Sequence, residues 1–194
     1  MTLALGIDPG TATTGYGLVR LMPDGELVAV SFGIISTSKD ETPSARLEIL
    51  YNALRKLLKQ HKPDTSAVEK LFFARNVTTG IAVGQARGVV LLALEQAGIE
   101  IFEYTPKEVK TRWLVMVPRK SAKCKKWFAP SLQLDSIPKP DDAADALAIA
   151  ITHLNTEALL MSLRGALLLF ATKQSPVPSI YLLQNRPLAK VRMS

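Results

Sequence analysis

Four acids carry the chemistry that this sequence suggests: Asp8, Glu69, Asp142 and Asp145. Asp8 follows the apolar run Leu3-Ala4-Leu5-Gly6-Ile7 and precedes Pro9-Gly10, which places one carboxylate at a strand edge beside a tight turn. Glu69 closes a second short strand-like run that begins at Ser66. Asp142 and Asp145 are three apart at the start of an Ala-rich helical stretch, so they share a face. Singly, these residues have ordinary readings, Asp8 as a turn cap and the aspartates as helix-opening acids favoured by the dipole. Together at one sheet edge they would repel one another strongly unless a cation neutralised them. All-oxygen ligation suits Mg²⁺ or Mn²⁺, and two such ions can activate a water and stabilise the leaving oxygen of a phosphodiester displacement.

Composition narrows the substrate. Twenty-four Lys and Arg against seventeen Asp and Glu leave a net charge of +7, which favours a polyanionic partner. The charge is concentrated: residues 106–126 hold eight basic side chains and a single acid, Glu108. One cysteine, Cys124, excludes an internal disulfide framework and a cysteine-based zinc site, and two histidines, His61 and His153, leave little for histidine ligation. A basic chain with a metal-carboxylate site points to a nuclease. The N-terminus lacks a secretory pattern, and the apolar stretch Ala158–Ala171 is short for a membrane span and contains Ser162 and Arg164. The expected compartment is the cytoplasm, with no membrane partner.

The elements that must position the acids follow from periodicity. Leu3–Ile7, Tyr16–Leu21 and Leu27–Ile35 read as strands joined by turns at Pro9-Gly10 and Pro23-Asp24-Gly25, which makes an antiparallel meander. Leu47, Leu50, Tyr51, Leu54, Leu57 and Leu58 recur at helical spacing up to a stop at Lys62-Pro63-Asp64. Ser66–Glu69 is then a strand that can lie parallel to the first. Thr79–Gln96 reads as a helix with a small-residue ridge at Gly80, Gly84 and Gly88, closed by Gly98, and Glu100–Tyr104 is a fifth strand. Thr105-Pro106 opens a further helix as N-cap and first helical residue. The fold class is α/β: a five-stranded mixed sheet, three antiparallel strands then two parallel, flanked by helices. Residues 1–154 form one expected domain, and residues 155–194 a C-terminal extension, partly helical or poorly ordered.

Gly6-Ile7-Asp8-Pro9-Gly10-Thr11 with Gly15-Tyr16-Gly17, Glu69 before Phe72, Gly84-Gln85-Ala86-Arg87-Gly88, and Asp142-Ala143-Ala144-Asp145 running on to His153 closely resemble the RuvC family, bacterial Holliday junction resolvases. The resemblance covers residues 1 to about 110 and 131–154 in order and spacing. It implies a ribonuclease H-like fold and a homodimer that uses two Mg²⁺ ions per site, replaceable by Mn²⁺, to nick two strands of a four-way DNA junction symmetrically. It further implies that Asp8, Glu69, Asp142 and Asp145 are the catalytic metal ligands. Phe72 falls where the family places an aromatic near the junction centre, where stacking on an unpaired base is chemically reasonable. Lys110 matches a family lysine near the scissile phosphate, and the branch-migration proteins RuvA and RuvB are the implied partners.

Between Lys110 and Ser131 the resemblance breaks. The family pattern there contains a Gly-x-Gly, an acid-lysine pair and Gln-Val-Gln, whereas this chain carries Thr111-Arg112-Trp113 and, further on, Pro118-Arg119-Lys120. A permitted codon choice for residues 111–128, read from its third base, gives Ala-Val-Val-Gly-Tyr-Gly-Ser-Ala-Glu-Lys-Arg-Gln-Val-Gln and restores the family pattern. Trp113, Met116, Lys120 and Trp127 leave limited freedom in that choice. Two compensating indels, near Thr111 and near Phe128, are the resulting hypothesis. Lys120 then lies close to the position of a lost family lysine. Two other readings stay open: a junction-binding protein impaired in cleavage, and an actin-like ATPase or sugar-kinase lobe, because Gly-Ile-Asp-x-Gly-Thr also begins those folds. The second would need a comparable lobe for which this chain has no room.

Overall fold

The alternation along the first strand decides how the molecule is layered. In the computed structural model, which describes residues 1–70, 77–116, 132 and 138–173, β1 (Thr2–Asp8) is the central strand of a five-stranded sheet. Its neighbours are β2 (Thr13–Leu21), antiparallel, and β4 (Thr65–Glu69), parallel; β3 (Leu27–Ser36) and β5 (Glu100–Tyr104) form the edges, giving the order β3-β2-β1-β4-β5. The expected arrangement of three antiparallel strands followed by two parallel ones is present. β2 begins three residues before the apolar run did, because Gly15 still pairs with Asp8 although neither adds an apolar side chain.

Because successive side chains point to opposite faces, Leu3, Leu5 and Ile7 face one way and Ala4, Gly6 and Asp8 the other. The leucine face packs with Leu18 and Val68 against α1 (Pro43–His61) and α2 (Val77–Gln96). Helix α1 buries Leu50, Leu54, Leu57 and Leu58, as the leucine spacing predicts, and it starts at Thr42, whose hydroxyl accepts from the Ala45 N–H. It ends at Lys62, which takes a left-handed conformation (φ 46°) and returns its N–H to the Leu58 carbonyl. The glycine ridge of α2 is not a packing seam at Gly88: among the described residues, a Cβ there would meet nothing within 4 Å. Ala86, Val90, Ala93 and Leu94 supply the buried side of that helix instead.

The opposite face is covered by α3 (Pro106–Met116) and α4 (Asp141–Lys173). Helix α3 starts in a reciprocal cap, as Thr105-Pro106 predicts: the Thr105 N–H donates to Glu108 Oε2 at 2.7 Å and the Glu108 N–H donates to Thr105 Oγ1 at 3.2 Å. Helix α4 is longer than the Ala-rich motif, since the weak helical stretch beyond Asn155 is continuous with it. By length and composition Asp141–Arg164 could cross a membrane, but half of that window is buried in the fold, so it is read as a core helix. The chain divides into two compact units, Met1–Glu157 and Ala158–Ser194. In the second, the described helix exposes Leu159, Leu160, Met161 and Leu163.

Candidate metal centre

The site begins with missing side chains. Gly6 pairs with Gly17 and Asp8 with Gly15 across β1 and β2, so three glycines and one acid occupy neighbouring positions on the face that α4 covers. A methyl group at Gly6 would stand 2.1 Å from the Ala146 carbonyl oxygen, at Gly15 2.0 Å from the Asp142 carbonyl oxygen, and at Gly17 2.7 Å from the Leu147 nitrogen. No real Cβ tolerates such distances. The helix therefore lies backbone-on-backbone against the sheet, and only glycine beneath it, with Ala146 and Ala150 on its own underside, permits that approach. The consequence is positional: the first turn of α4 is set over Gly15, the partner of Asp8.

Glu69 arrives from the other side. β1 and β4 run parallel with Ile7 opposite Val68, so Asp8 and Glu69 are the next residues of their strands and share the α4-facing side of the sheet. The turn after Asp8 is fastened: Thr14 Oγ1 donates to the Gly10 carbonyl at 2.7 Å, and Thr37 Oγ1 donates to the Thr11 carbonyl at 2.5 Å. At Gly10 a methyl would stand 2.2 Å from the Thr13 carbonyl oxygen, so this turn also requires glycine.

The electrostatics are read at Asp8 and Glu69, on which the other acids act. Burial, and then the nearby Glu69 carboxylate, push the Asp8 carboxyl up to about 8, with further contributions from a hydrogen bond to Glu69 and from the charges of Asp145 and Asp142. Glu69 is also raised, chiefly by burial, while its hydrogen bond with Asp8 and the Lys110 ammonium act in the opposite sense. Burial and like charge thus disfavour ionising both members of the pair at once. Among the described residues Asp8, Glu69 and Asp142 are half-buried, whereas Asp145 and Lys110 are exposed.

As they stand, no three acid, histidine or cysteine side chains among the described residues are arranged to grip one ion. The donor set nevertheless fits a hard divalent cation in kind: carboxylate oxygens of Asp8 and Glu69 at neighbouring strand ends, partly withdrawn from water and raised by like charge, which a cation would relieve. Of the other residues singled out from sequence, Lys110 lies on α3 within electrostatic reach of Glu69. Phe72 and Lys120 lie outside the described residues.

Two features of this face escaped the sequence reading. The platform of Gly6, Gly15 and Gly17 is one; its signal was the alternation Gly-x-Gly in a strand combined with an Ala-rich helix. His153 is the other. It is fully buried, its Nε2 is 2.8 Å from Thr65 Oγ1, its Nδ1 is 3.1 Å from the Tyr104 hydroxyl, and its ring stacks at a tilt against Phe102. It ties α4 to β4 and β5, and burial lowers its pKa to about 4, so it is neutral at pH 7.

Comparison with known proteins identifies the family of the chain. The sequence model of the family described as "Crossover junction endodeoxyribonuclease RuvC" matches residues 4–153. A protein of that name from Roseiflexus sp. (strain RS-1) is 47% identical over 152 residues, covering 78% of this chain and 90% of the relative. Another, from Chloroflexus aurantiacus (strain ATCC 29366 / DSM 635 / J-10-fl), is 48% identical over 157 residues, covering 81% and 95%. Among solved structures, Thermus thermophilus RuvC in complex with a Holliday junction substrate superposes with a TM-score of 0.73 at 29% identity, covering 81% of this chain and 96% of that one. The yeast mitochondrial Holliday junction resolvase Ydc2 shares the fold, with a TM-score of 0.67 at 16% identity, covering 86% and 85%.

Proposed function

This chain belongs to the RuvC family of crossover junction endodeoxyribonucleases, and on that premise we propose that it resolves four-way DNA junctions by hydrolysing phosphodiesters at the centre built by Asp8, Glu69, Asp142 and Asp145. Family membership decides against the kinase-lobe alternative. The observation that supports the assignment of residues is the convergence of Glu69 from β4 and of Asp142 and Asp145 from α4 on the Asp8 carboxyl at the end of the central strand.

In this reading Asp8 and Glu69, at the ends of β1 and β4, and Asp142 and Asp145, in the first turn of α4, would hold the divalent cations. Two Mg²⁺ ions bound there, with Mn²⁺ as a substitute, would activate the attacking water and stabilise the departing oxygen. Because burial and like charge raise the Asp8 and Glu69 carboxyls, binding of a cation there would be favoured by rising pH. Lys110 adds positive charge beside Glu69, where a scissile phosphate would bring negative charge. Phe72 is proposed to stack on an unpaired base, and Lys120 to contact the backbone. The proposal extends to a homodimer that nicks paired strands, to co-operation with the branch-migration proteins RuvA and RuvB, and to a cytoplasmic site of action. It takes residues 1–154 as the nuclease domain and 155–194 as an extension.

A second reading is favoured by one specific observation, the departure of residues 111–128 from the family pattern: junction binding with impaired cleavage. Incubating a synthetic four-way junction with the protein and Mg²⁺, beside an Asp8→Asn variant, separates the two. Symmetric nicks from the parent chain alone support the resolvase. Binding without cutting by both supports the impaired form. Resequencing codons 108–130 bears on the cause, and an unambiguous read with no indel relative to close relatives would remove the frameshift hypothesis.

A further inference from the structure

Glu69 is the last residue of β4, so its carboxylate is aimed by a peptide unit from which the chain leaves the sheet. Both polar groups of that unit are taken. The Lys70 N–H donates to the Tyr104 carbonyl of β5 at 2.8 Å, and the Glu69 carbonyl accepts from Arg87 Nε of α2 at 3.4 Å. The same guanidinium forms an ion pair through its NH2 nitrogen with Glu103 Oε1 on β5. The Arg87 side chain is 19% exposed and that of Glu103 34%, so the contact is partly shielded from solvent.

Arg87 therefore braces α2, the end of β4 and the end of β5 at one point. A guanidinium can do this because its planar fork offers separate donors to a carbonyl and to a carboxylate; a lysine ammonium keeps the charge but not the fork. Arg87 interacts with the backbone carbonyl of Glu69, and the effect on chemistry runs through the direction of the carboxylate.

We propose that Arg87, held by Glu103, is a positioning residue that fixes the Glu69 carboxylate for divalent metal binding. The inference rests on the reading of Glu69 as a metal ligand. Residues that orient metal ligands are worth about 10–100-fold in metal affinity or activity, and a misplacement of about 1 Å at a reacting centre costs on the order of 100-fold.

The test uses the full chain and Mn²⁺ alone as probe, titrated by electron paramagnetic resonance so that the readout does not depend on cleavage. Arg87→Lys is expected to weaken Mn²⁺ binding about 10-fold, and Glu103→Gln by a smaller factor, with the metal-free Tm of both within a few degrees of the parent. In cleavage assays the Mg²⁺ concentration for half-maximal rate rises while the KM for the junction stays put. Unchanged Mn²⁺ affinity in Arg87→Lys, alongside its loss in Glu69→Gln, overturns the positioning role. Unchanged affinity in Glu69→Gln overturns the assignment of Glu69 and the inference with it. An equal loss in Leu54→Ala, a packing variant in the leucine cluster, shows that stability alone accounts for the effect and also overturns it.

Discussion

The two faces of the sheet are packed by opposite means. Toward α1 and α2 the sheet presents Leu3, Leu5, Ile7, Leu18 and Val68, branched side chains that interdigitate with leucines of the helices. Toward α4 it presents Ala4, Gly6, Gly15, Gly17 and Ala67, and the helix answers with Ala146 and Ala150. Side-chain packing fills volume and tolerates small adjustments of the helix. Backbone-on-backbone contact permits almost none, since a methyl group at Gly15 would overlap the Asp142 carbonyl. The face with the glycine platform is the one that carries the four acids, and the other holds the leucine cluster, from which Arg87 of α2 reaches the Glu69 carbonyl. The seating of α4 beside the acids and the leucine packing are thus divided between the two sides of a single sheet.

The division can be broken most directly at its chemical centre. Asp8→Asn is expected to lower junction cleavage on the order of 10³-fold or more while leaving the fold intact. Because the Asp8 carboxyl is raised to about 8, metal-free parent protein loses stability as pH rises through that value, a loss that the amide does not suffer. Thermal melts at pH 9 without metal should therefore show the variant melting above the parent, with the order reversed or equalised by Mg²⁺. A variant that melts below the parent at pH 9 would argue against a site strained by like charge.

Gly15→Ala attacks the platform without touching an acid. One methyl must push the start of α4 away from β2, and a shift near 1 Å at Asp142 is expected to cost about 100-fold in cleavage, with about 1–3 kcal/mol of stability lost to overpacking. Leu54→Ala gives the contrasting result from the other face. Leu54 is fully buried in the leucine cluster, and its truncation is expected to cost about 2–5 kcal/mol by denaturant titration, with kcat and Mg²⁺ dependence unchanged below the lowered Tm. If Leu54→Ala moved the Mg²⁺ dependence as far as Gly15→Ala, the proposed division of labour would fail.

How much of this could be read from the chain depends on whether the signal was a side chain or its absence. The leucine spacing of α1 marks that helix directly, and the apolar runs ending in Asp8 and Glu69 mark strand ends, so the succession of three antiparallel strands and two parallel ones and the neighbourhood of two acids followed from local pattern. Thr105-Pro106 likewise predicted the cap of α3, and with it the helix that brings Lys110 toward Glu69. The glycine platform left no hydrophobic trace, because its meaning depends on Ala146 and Ala150 far along the chain. The same blindness made Gly80, Gly84 and Gly88 look like a packing ridge, although Gly88 faces open space. His153 was weighed only as a metal ligand, since its partners Thr65 and Tyr104 lie on two other elements.

His153 supplies the smallest effect and the one most specific to the α4 side. Its folded pKa, lowered to about 4 by burial, lies below the ordinary value of 6.5, so the unfolded chain takes up a proton first as pH falls. The stability it contributes is complete above pH 6.5 and is lost on the way down to pH 4, by about 1 kcal/mol at pH 6 and about 3 kcal/mol at pH 4. Asp8 works in the opposite sense across part of this range, because a raised carboxyl loses stability as pH rises. An Asp8→Asn background removes the Asp8 share of that opposing slope, and the raised Glu69 is common to both proteins compared. Urea titrations of this variant between pH 7 and 4 should show the loss, and His153→Gln in the same background should flatten it. A slope that survives the histidine substitution would place the acid sensitivity elsewhere and leave the seam of α4 with β4 and β5 indifferent to protonation.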